Sequence, residues 1–230
     1  MDAQYFSQLP NDVQEWAQNI EAHCGFDISV RREPRRHTAC EFGPGYARIL
    51  LPNNGVLRPE SGFHELSHLD RFLVKGIGQL VPVGSALHAP EAAFTKLDNA
   101  LEHIAFVGAE VARFPGRNDY WCEIIRRELQ RLPGAAMDKN DRKMWTLVLN
   151  AFFAIANLQA VATVEELQQA IHRYLNVGEV EDFVATVRDR LEDKLTLSQF
   201  ICGKWGFQLH TVGLNCIDVA SGSEFVTPLG

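Results

Sequence analysis

The chain has 230 residues, enough for one large domain or two small ones, and its 46% hydrophobic and 22% charged residues are typical of a folded globular protein. The net charge of -7 argues against a nucleic-acid partner, because phosphate binding needs a basic surface. The N-terminus lacks a secretory signal and no stretch reaches the roughly 18 apolar residues that span a bilayer, so the sequence predicts a cytoplasmic protein without a membrane partner. The cysteines are scattered without a Cys-x-x-Cys pair and are predicted to be reduced thiols.

Residues 10–51 are predicted to form one helix and a small sheet. Pro10–His23 has the apolar spacing of an amphipathic helix, and Gly25 is expected to end it. Three later segments have the apolar patterns of strands, namely Phe26–Val30, Thr38–Phe42 and Tyr46–Leu51.

The segment Arg31–Arg36 lies between the first two predicted strands and contains four arginines, one glutamate and Pro34. The proline predicts a turn, so Thr38–Phe42 is expected to return beside Phe26–Val30. The basic cluster is short and interrupted. We therefore interpret it as a solvated hairpin tip rather than a phosphate site.

A His-Glu-x-x-His motif, His64 to His68, follows the third predicted strand. Positions four apart lie on one face of a helix, so His64 and His68 can direct two imidazole nitrogens at one point while Glu65 lies beside them. Two neutral imidazoles supply two of the three protein ligands of a catalytic zinc site. A glutamate next to the metal can take a proton from a water that the metal has acidified. The motif thus predicts one zinc ion as cofactor, with His64 and His68 as ligands and Glu65 as general base.

The apolar stripe of the same helix favours this interpretation. The stripe lies nearly opposite His64 and His68 and consists of Phe63, Leu66, Leu69, Leu73 and Ile77. The two histidines are therefore expected to face a second layer or a cleft. The alternative is that both histidines and Glu65 are solvated groups on a helix surface.

The order of helix, short twisted sheet and HExxH helix resembles that of the zincin metallopeptidases, in particular the small intracellular ones of gluzincin type. The resemblance implies hydrolysis of peptide bonds and a peptide or protein substrate. In that class the strand nearest the motif pairs with an extended substrate, which implies a substrate-binding edge at Tyr46, Ala47, Arg48, Ile49, Leu50 and Leu51. The alternative is that this strand is an internal strand of a mixed sheet.

The third zinc ligand is expected from the next long helix, predicted at Pro90–Phe114. Gluzincins take an acidic ligand from a helix downstream of the motif, so the resemblance implies Glu102, with His103 as the rival. Neighbouring helix positions point about 100° apart, so these two side chains are not expected to bind one ion together. Asp98 lies one turn before Glu102 and is a candidate hydrogen-bond partner for a ligating histidine.

Beyond Gly116 the chain is predicted to be mainly helical. The helical segments are Tyr120–Leu132, Lys139–Leu158, Val164–Leu175 and Val180–Leu195. Trp205–Val212 and Cys216–Val219 predict a terminal β-hairpin. The predicted fold class is α+β, with a zincin-like metal-binding part at 1–116 and a mainly helical part at 117–230, which can also form one continuous domain.

Two functions are compatible with these patterns. The leading one is a zinc metallopeptidase in which Glu65 is the general base. The alternative is a helical interaction or regulatory module with a structural or vestigial metal site, because the part after Gly116 suits a partner surface as well as a substrate domain. A protein regulator is a further partner that this helical part would fit.

Overall fold

The computed structural model describes residues 2–83, 91–132, 139–156, 161–173 and 177–230. The fold is α+β, as the sequence predicts, and contains many helices and two three-stranded sheets. The chain forms two compact units. Unit 1 consists of Met1–Gln79 and Asn215–Thr227, and unit 2 consists of Leu80–Leu214 and Pro228–Gly230. This division follows spatial contacts, whereas the boundary after residue 116 follows composition and stays a prediction.

Unit 1 combines helices with one small sheet. Its elements before residue 79 are α1 (Ala3–Phe6), α2 (Asn11–Cys24), β1 (Ile28–Glu33), β2 (Ala39–Gly43), β3 (Tyr46–Pro52), α3 (Pro59–Leu69) and a π-helical turn (Asp70–Val74). The helix predicted at Pro10–His23 is present as α2. Gly25 ends it with φ of 73°, a left-handed conformation that glycine adopts without a Cβ clash.

The strands of unit 1 lie in the order β1-β3-β2. β1 is parallel to β3, with Val30 opposite Ile49, and β2 is antiparallel to β3, with Cys40 opposite Ile49. The predicted hairpin of the first two strands is wrong because β3 lies between them, and Arg31 and Arg32 belong to β1 rather than to a turn. The physical reason is burial: β3 is the most apolar of the three strands, and the central position of a sheet covers both of its edges.

Alternate residues of the sheet point toward α2 and α3 and form the core of unit 1. The buried residues of this core include Ile28, Ala47, Ile49 and Leu51 from the sheet, Val13, Ala17 and Ile20 from α2, and Leu66, Leu69 and Leu73 from α3 and the π-helical turn. Each large apolar side chain buried here contributes roughly 1.5–3 kcal/mol of transfer free energy. The three leucines belong to the apolar stripe that the sequence predicts, and they fix which face of α3 is turned inward.

Unit 2 is mainly helical. Its helices are α4 (Glu91–Arg113), α5 (Arg117–Gln130), α6 (Lys139–Ala156), α7 (Val161–Ile171), α8 (Val177–Asp189) and α9 (Lys194–Trp205). The helix predicted at Pro90–Phe114 is present as α4, and Pro90 itself lies outside the described residues. Within the ranges that the structure describes, no helix is both long enough and apolar enough to cross a membrane.

A second sheet has the order β4-β5-β6, and its strands are β4 (Gln79–Pro82), β5 (Val212–Asp218) and β6 (Ser223–Pro228). β5 and β6 form the predicted terminal hairpin, but later in the chain than expected. The predicted strand at Trp205–Val212 is wrong because Trp205 ends α9. That helix begins where the Asp193 carboxylate accepts a hydrogen bond from the Thr196 N–H at 3.1 Å, and it stops at the left-handed Gly206.

Candidate metal centre

The structure brings His64 and His68 together on α3. Their ring centroids lie 5.0 Å apart, with the ring planes at 80° to each other. His68 is buried, and its ring is nearly parallel to that of Phe72, with 6.0 Å between the centroids. Phe72 in turn stacks on Phe42 of β2 at 4.8 Å. Aromatic packing thus fixes the plane of His68, while His64 keeps partial exposure to solvent.

Glu65 occupies a buried position beside this pair, with an exposed fraction of 4%. The Cys40 thiol of β2 donates a hydrogen bond to the Glu65 carboxylate. Burial raises the pKa of Cys40 well above its usual range, and the negative charge of Glu65 and this hydrogen bond raise it further. The thiol therefore stays protonated at neutral pH and remains a donor to Glu65.

Cys40 was not predicted to be a neighbour of the motif. The signal that could have found it is the alternation of β2, which turns Cys40 and Phe42 toward the core. Alternation alone does not say which helix covers a strand. The contact depends on β2 packing against α3, and that placement follows from the sheet order rather than from local sequence.

Phe63 and Asp70, which flank the motif on either side, both contact Trp16 of α2. The Trp16 ring lies 5.3 Å from the Phe63 ring, and the Trp16 indole N–H donates to the Asp70 carboxylate at 3.3 Å. Asp70 begins the π-helical turn Asp70–Val74. Single π-helical turns are frequent at functional sites because they shift the register of the side chains that follow them. Here the turn begins two residues after His68, the second histidine of the motif.

In unit 2, Asp98 and Glu102 of α4 surround one lysine. The Lys194 ammonium lies 2.6 Å from an Asp98 carboxylate oxygen and 2.7 Å from a Glu102 carboxylate oxygen, and all three side chains are buried. Asp98 also accepts a hydrogen bond from the Leu80 N–H at 2.9 Å. No local pattern predicts this cluster, because Lys194 lies 92 positions beyond Glu102.

Burial and mutual charge together set the pKa values of Asp98 and Lys194. Burial raises the pKa of Asp98, and the Lys194 charge opposes that rise. Burial would lower the pKa of Lys194, but the charges of Asp98 and Glu102 raise it above its ordinary value. The lysine is therefore charged and holds the Glu102 carboxylate. The hydrogen bond that Asp98 is expected to accept from a ligating histidine stays a prediction.

His103 has different surroundings from its neighbour Glu102. Its ring lies 4.6 Å from the Trp121 ring of α5 and 5.6 Å from the Phe106 ring, and the side chain is partly exposed. Trp121 is fixed through its indole N–H, which donates to the buried Glu110 carboxylate at 3.3 Å. Within unit 2, Glu102 thus faces an ammonium and His103 faces aromatic rings.

The predicted substrate-binding edge is wrong. Tyr46, Ala47, Arg48, Ile49, Leu50 and Leu51 belong to β3, which has β1 on one side and β2 on the other. Both edges of β3 are therefore engaged within the sheet, and Ala47, Ile49 and Leu51 are core residues. Arg48 forms an ion pair with Glu41 at 3.5 Å. The alternative, an internal strand of a mixed sheet, is what the structure shows.

No protein-family model matches this chain, and neither the curated proteins nor the solved structures contain a significant match. The resemblance to zincins consequently depends on the motif and on the order of elements before it.

Proposed function

We propose that this protein is a zinc-dependent hydrolase of peptide bonds. The observation that carries the proposal lies within unit 1. His64 and His68 are neighbouring imidazoles on α3, and Glu65 is held beside them in a buried position by Cys40. Two imidazoles one helical turn apart with an adjacent glutamate are the donor and base set of hydrolytic zinc sites.

His103 is the third ligand in this proposal, in place of Glu102. The Glu102 carboxylate, with an exposed fraction of 1%, is paired with the Lys194 ammonium, and breaking a buried ion pair costs about 3–5 kcal/mol. His103 is partly exposed and offers a ring nitrogen. The ligand set that we propose is therefore His64 and His68, which the motif pairs, with His103 as the third donor.

The chemistry of this donor set fits zinc. Three neutral imidazoles are a known ligand set for catalytic zinc, and they leave a position open in a tetrahedral site. When bound, zinc supplies Lewis acidity, which polarises a carbonyl group and lowers the pKa of water.

The chain's own residues supply the proton transfers and the orientation. Glu65 takes a proton from the attacking water and passes it to the leaving amine. The hydrogen bond from Cys40 restricts the carboxylate of Glu65 to one orientation, and the stacking on Phe72 does the same for the His68 ring. Both restraints act within unit 1.

A peptide or protein is the proposed substrate, on the strength of the motif's resemblance to zincins. The proposed location is the cytoplasm, because all five cysteines lie in the described residues as thiols, the form that a reducing compartment maintains. A protein regulator remains a proposed partner of the helical unit.

Zinc content and peptide cleavage, measured on the same preparations, test this function. The wild type, reconstituted with zinc and dialysed, should hold one zinc per chain and cleave members of a quenched fluorescent peptide library. Glu65→Gln should keep the zinc and lose cleavage by at least about 100-fold. Glu60→Gln, a matched change in the first turn of the same helix, should keep both.

The failed outcomes are informative. A wild type that binds zinc and cleaves no peptide would favour the regulatory module with a structural metal site. A wild type that holds no zinc after reconstitution would remove the hydrolase proposal.

A further inference from the structure

The outer edge of β1 carries backbone groups that β3 does not use. β1 has β3 on one side and no strand on the other within the described ranges. The Ile28 N–H donates to the Glu21 carboxylate at 2.7 Å, so Ile28 points its backbone groups away from β3. Neighbouring residues of a strand point these groups to opposite sides, so Val30 and Arg32 point the same way as Ile28. Their N–H and C=O groups therefore form a short open edge.

Arginines flank this edge on both faces of the sheet. Arg31 and Arg32 are exposed, and consecutive residues of a strand lie on opposite faces. Arg32 is held in place: its Nη1 donates to the carbonyls of Asn53 and Gly55, each at 2.8 Å. Arg36, also exposed, follows the strand. The open edge of β1 therefore has a row of backbone N–H and C=O groups with positively charged side chains on both faces of the sheet.

We infer that the β1 edge binds an extended acidic peptide segment of a partner protein by strand addition. An added strand would satisfy the backbone groups of Val30 and Arg32, and two consecutive acidic residues would place one carboxylate on each face, opposite Arg31 and Arg32. The surface lies on a different element from His64 and His68, and the inference does not depend on the zinc proposal.

Charge disfavours the simplest competing occupants. A second copy of β1 brings its own arginines to the new pair, and a register that sets Arg31 opposite Arg31 is destabilised by the like charges. A nucleic acid would meet the arginines, but it has no peptide groups to match the backbone of β1, and the chain as a whole carries a net charge of -7. An acidic peptide matches both the backbone and the charge.

Binding of a labelled hexapeptide, Thr-Val-Glu-Glu-Val-Thr, to the full chain tests the inference by fluorescence anisotropy at low salt. We expect saturable binding that weakens at least about tenfold when Glu-Glu is replaced by Lys-Lys. Methylation of the peptide nitrogens on the edge facing β1 should weaken binding by a similar factor, because it removes the backbone donors.

Protein variants locate the binding surface. Arg31→Glu should weaken binding at least about tenfold, with unchanged circular dichroism, because the exposed side chain makes no core contact. Arg173→Glu, which reverses an exposed arginine of unit 2, should leave the affinity unchanged. The inference is overturned if the unmethylated Glu-Glu peptide does not bind, if the methylated peptide binds equally well, if Arg31→Glu has no effect, or if a single-stranded oligonucleotide binds more tightly than the peptide.

Discussion

Lys194 holds Glu102 in a buried ion pair of 2.7 Å within unit 2. The next residue, His103, lies against the Trp121 ring instead. Two adjacent positions, of which the sequence favours Glu102 over His103 as the third metal ligand, therefore have different chemical surroundings. The pair commits Glu102 to a structural contact and leaves the imidazole as the better candidate for the metal.

The ion pair predicts a large effect of removing its cation. Lys194→Met should lower the free energy of unfolding by about 3–5 kcal/mol, because Asp98 and Glu102 would stay buried without this positive charge. Urea denaturation measures the change. Lys204→Met, an exposed position on the same helix, should change it by less than about 0.5 kcal/mol. Similar small changes in both variants would show that the pair is not formed.

The raised pKa of Asp98 predicts a specific pH dependence. Burial makes the folded protein bind a proton at Asp98 more readily than the unfolded chain does, for which the pKa is about 3.9. The stability contributed by this group is therefore greatest at low pH and is lost as pH rises above that value. The difference in unfolding free energy between the wild type and Asp98→Asn should accordingly fall as the pH is raised from about 4.

Asp193 provides a control of opposite sign for that measurement. The hydrogen bond from Thr196 lowers the pKa of Asp193, so its contribution is present above the unfolded pKa and is lost as pH falls. The difference between the wild type and Asp193→Asn should therefore rise with pH. The same slope in both series would contradict the assignment of the Asp98 shift to burial.

The contact between Cys40 and Glu65 predicts an effect on turnover without an effect on zinc content. Cys40→Val removes the donor to a charged group and should lower kcat about tenfold while leaving KM and zinc content unchanged. Cys40→Ser keeps a donor and should restore most of the activity. Equal loss in both variants, or loss of zinc with activity, would indicate a structural role instead.

The central position of β3 predicts which of its residues affect stability. Ile49→Ala should lower the free energy of unfolding by about 2–5 kcal/mol, since the side chain is fully buried in the core. Arg48→Ala should leave KM for a cleaved peptide unchanged, because β3 offers no open edge. A large rise in KM for the arginine variant would restore the substrate role of this strand.

Local patterns predicted the elements better than their arrangement. The helix at Pro10–His23 and the long helix at Pro90–Phe114 have clear apolar periodicity and end signals, and both are present. The hairpin of the first two strands was wrong because pairing depends on which strand is buried most completely. β3 is the central strand of the sheet because of tertiary contacts, which a short segment of sequence does not reveal.

The same limit applies to the candidate site. His64 and His68 are four positions apart on one helix, so the motif alone predicts that their side chains are neighbours. The tertiary fold brings Cys40 to Glu65 and Lys194 to Glu102. The partners in each pair are far apart in sequence, so apolar periodicity does not predict either contact. Ligand choice between Glu102 and His103 depends on those long-range partners.

X-ray absorption at the zinc edge identifies the ligands of a bound zinc ion and is measured on wild-type protein and on the His103→Ala and Glu102→Gln variants. We expect one zinc per chain in the wild type with three imidazole ligands, retention of that signature in Glu102→Gln, and loss of one imidazole or of the metal in His103→Ala. An unchanged zinc site in His103→Ala, or a wild type that takes up no zinc, would contradict this expectation.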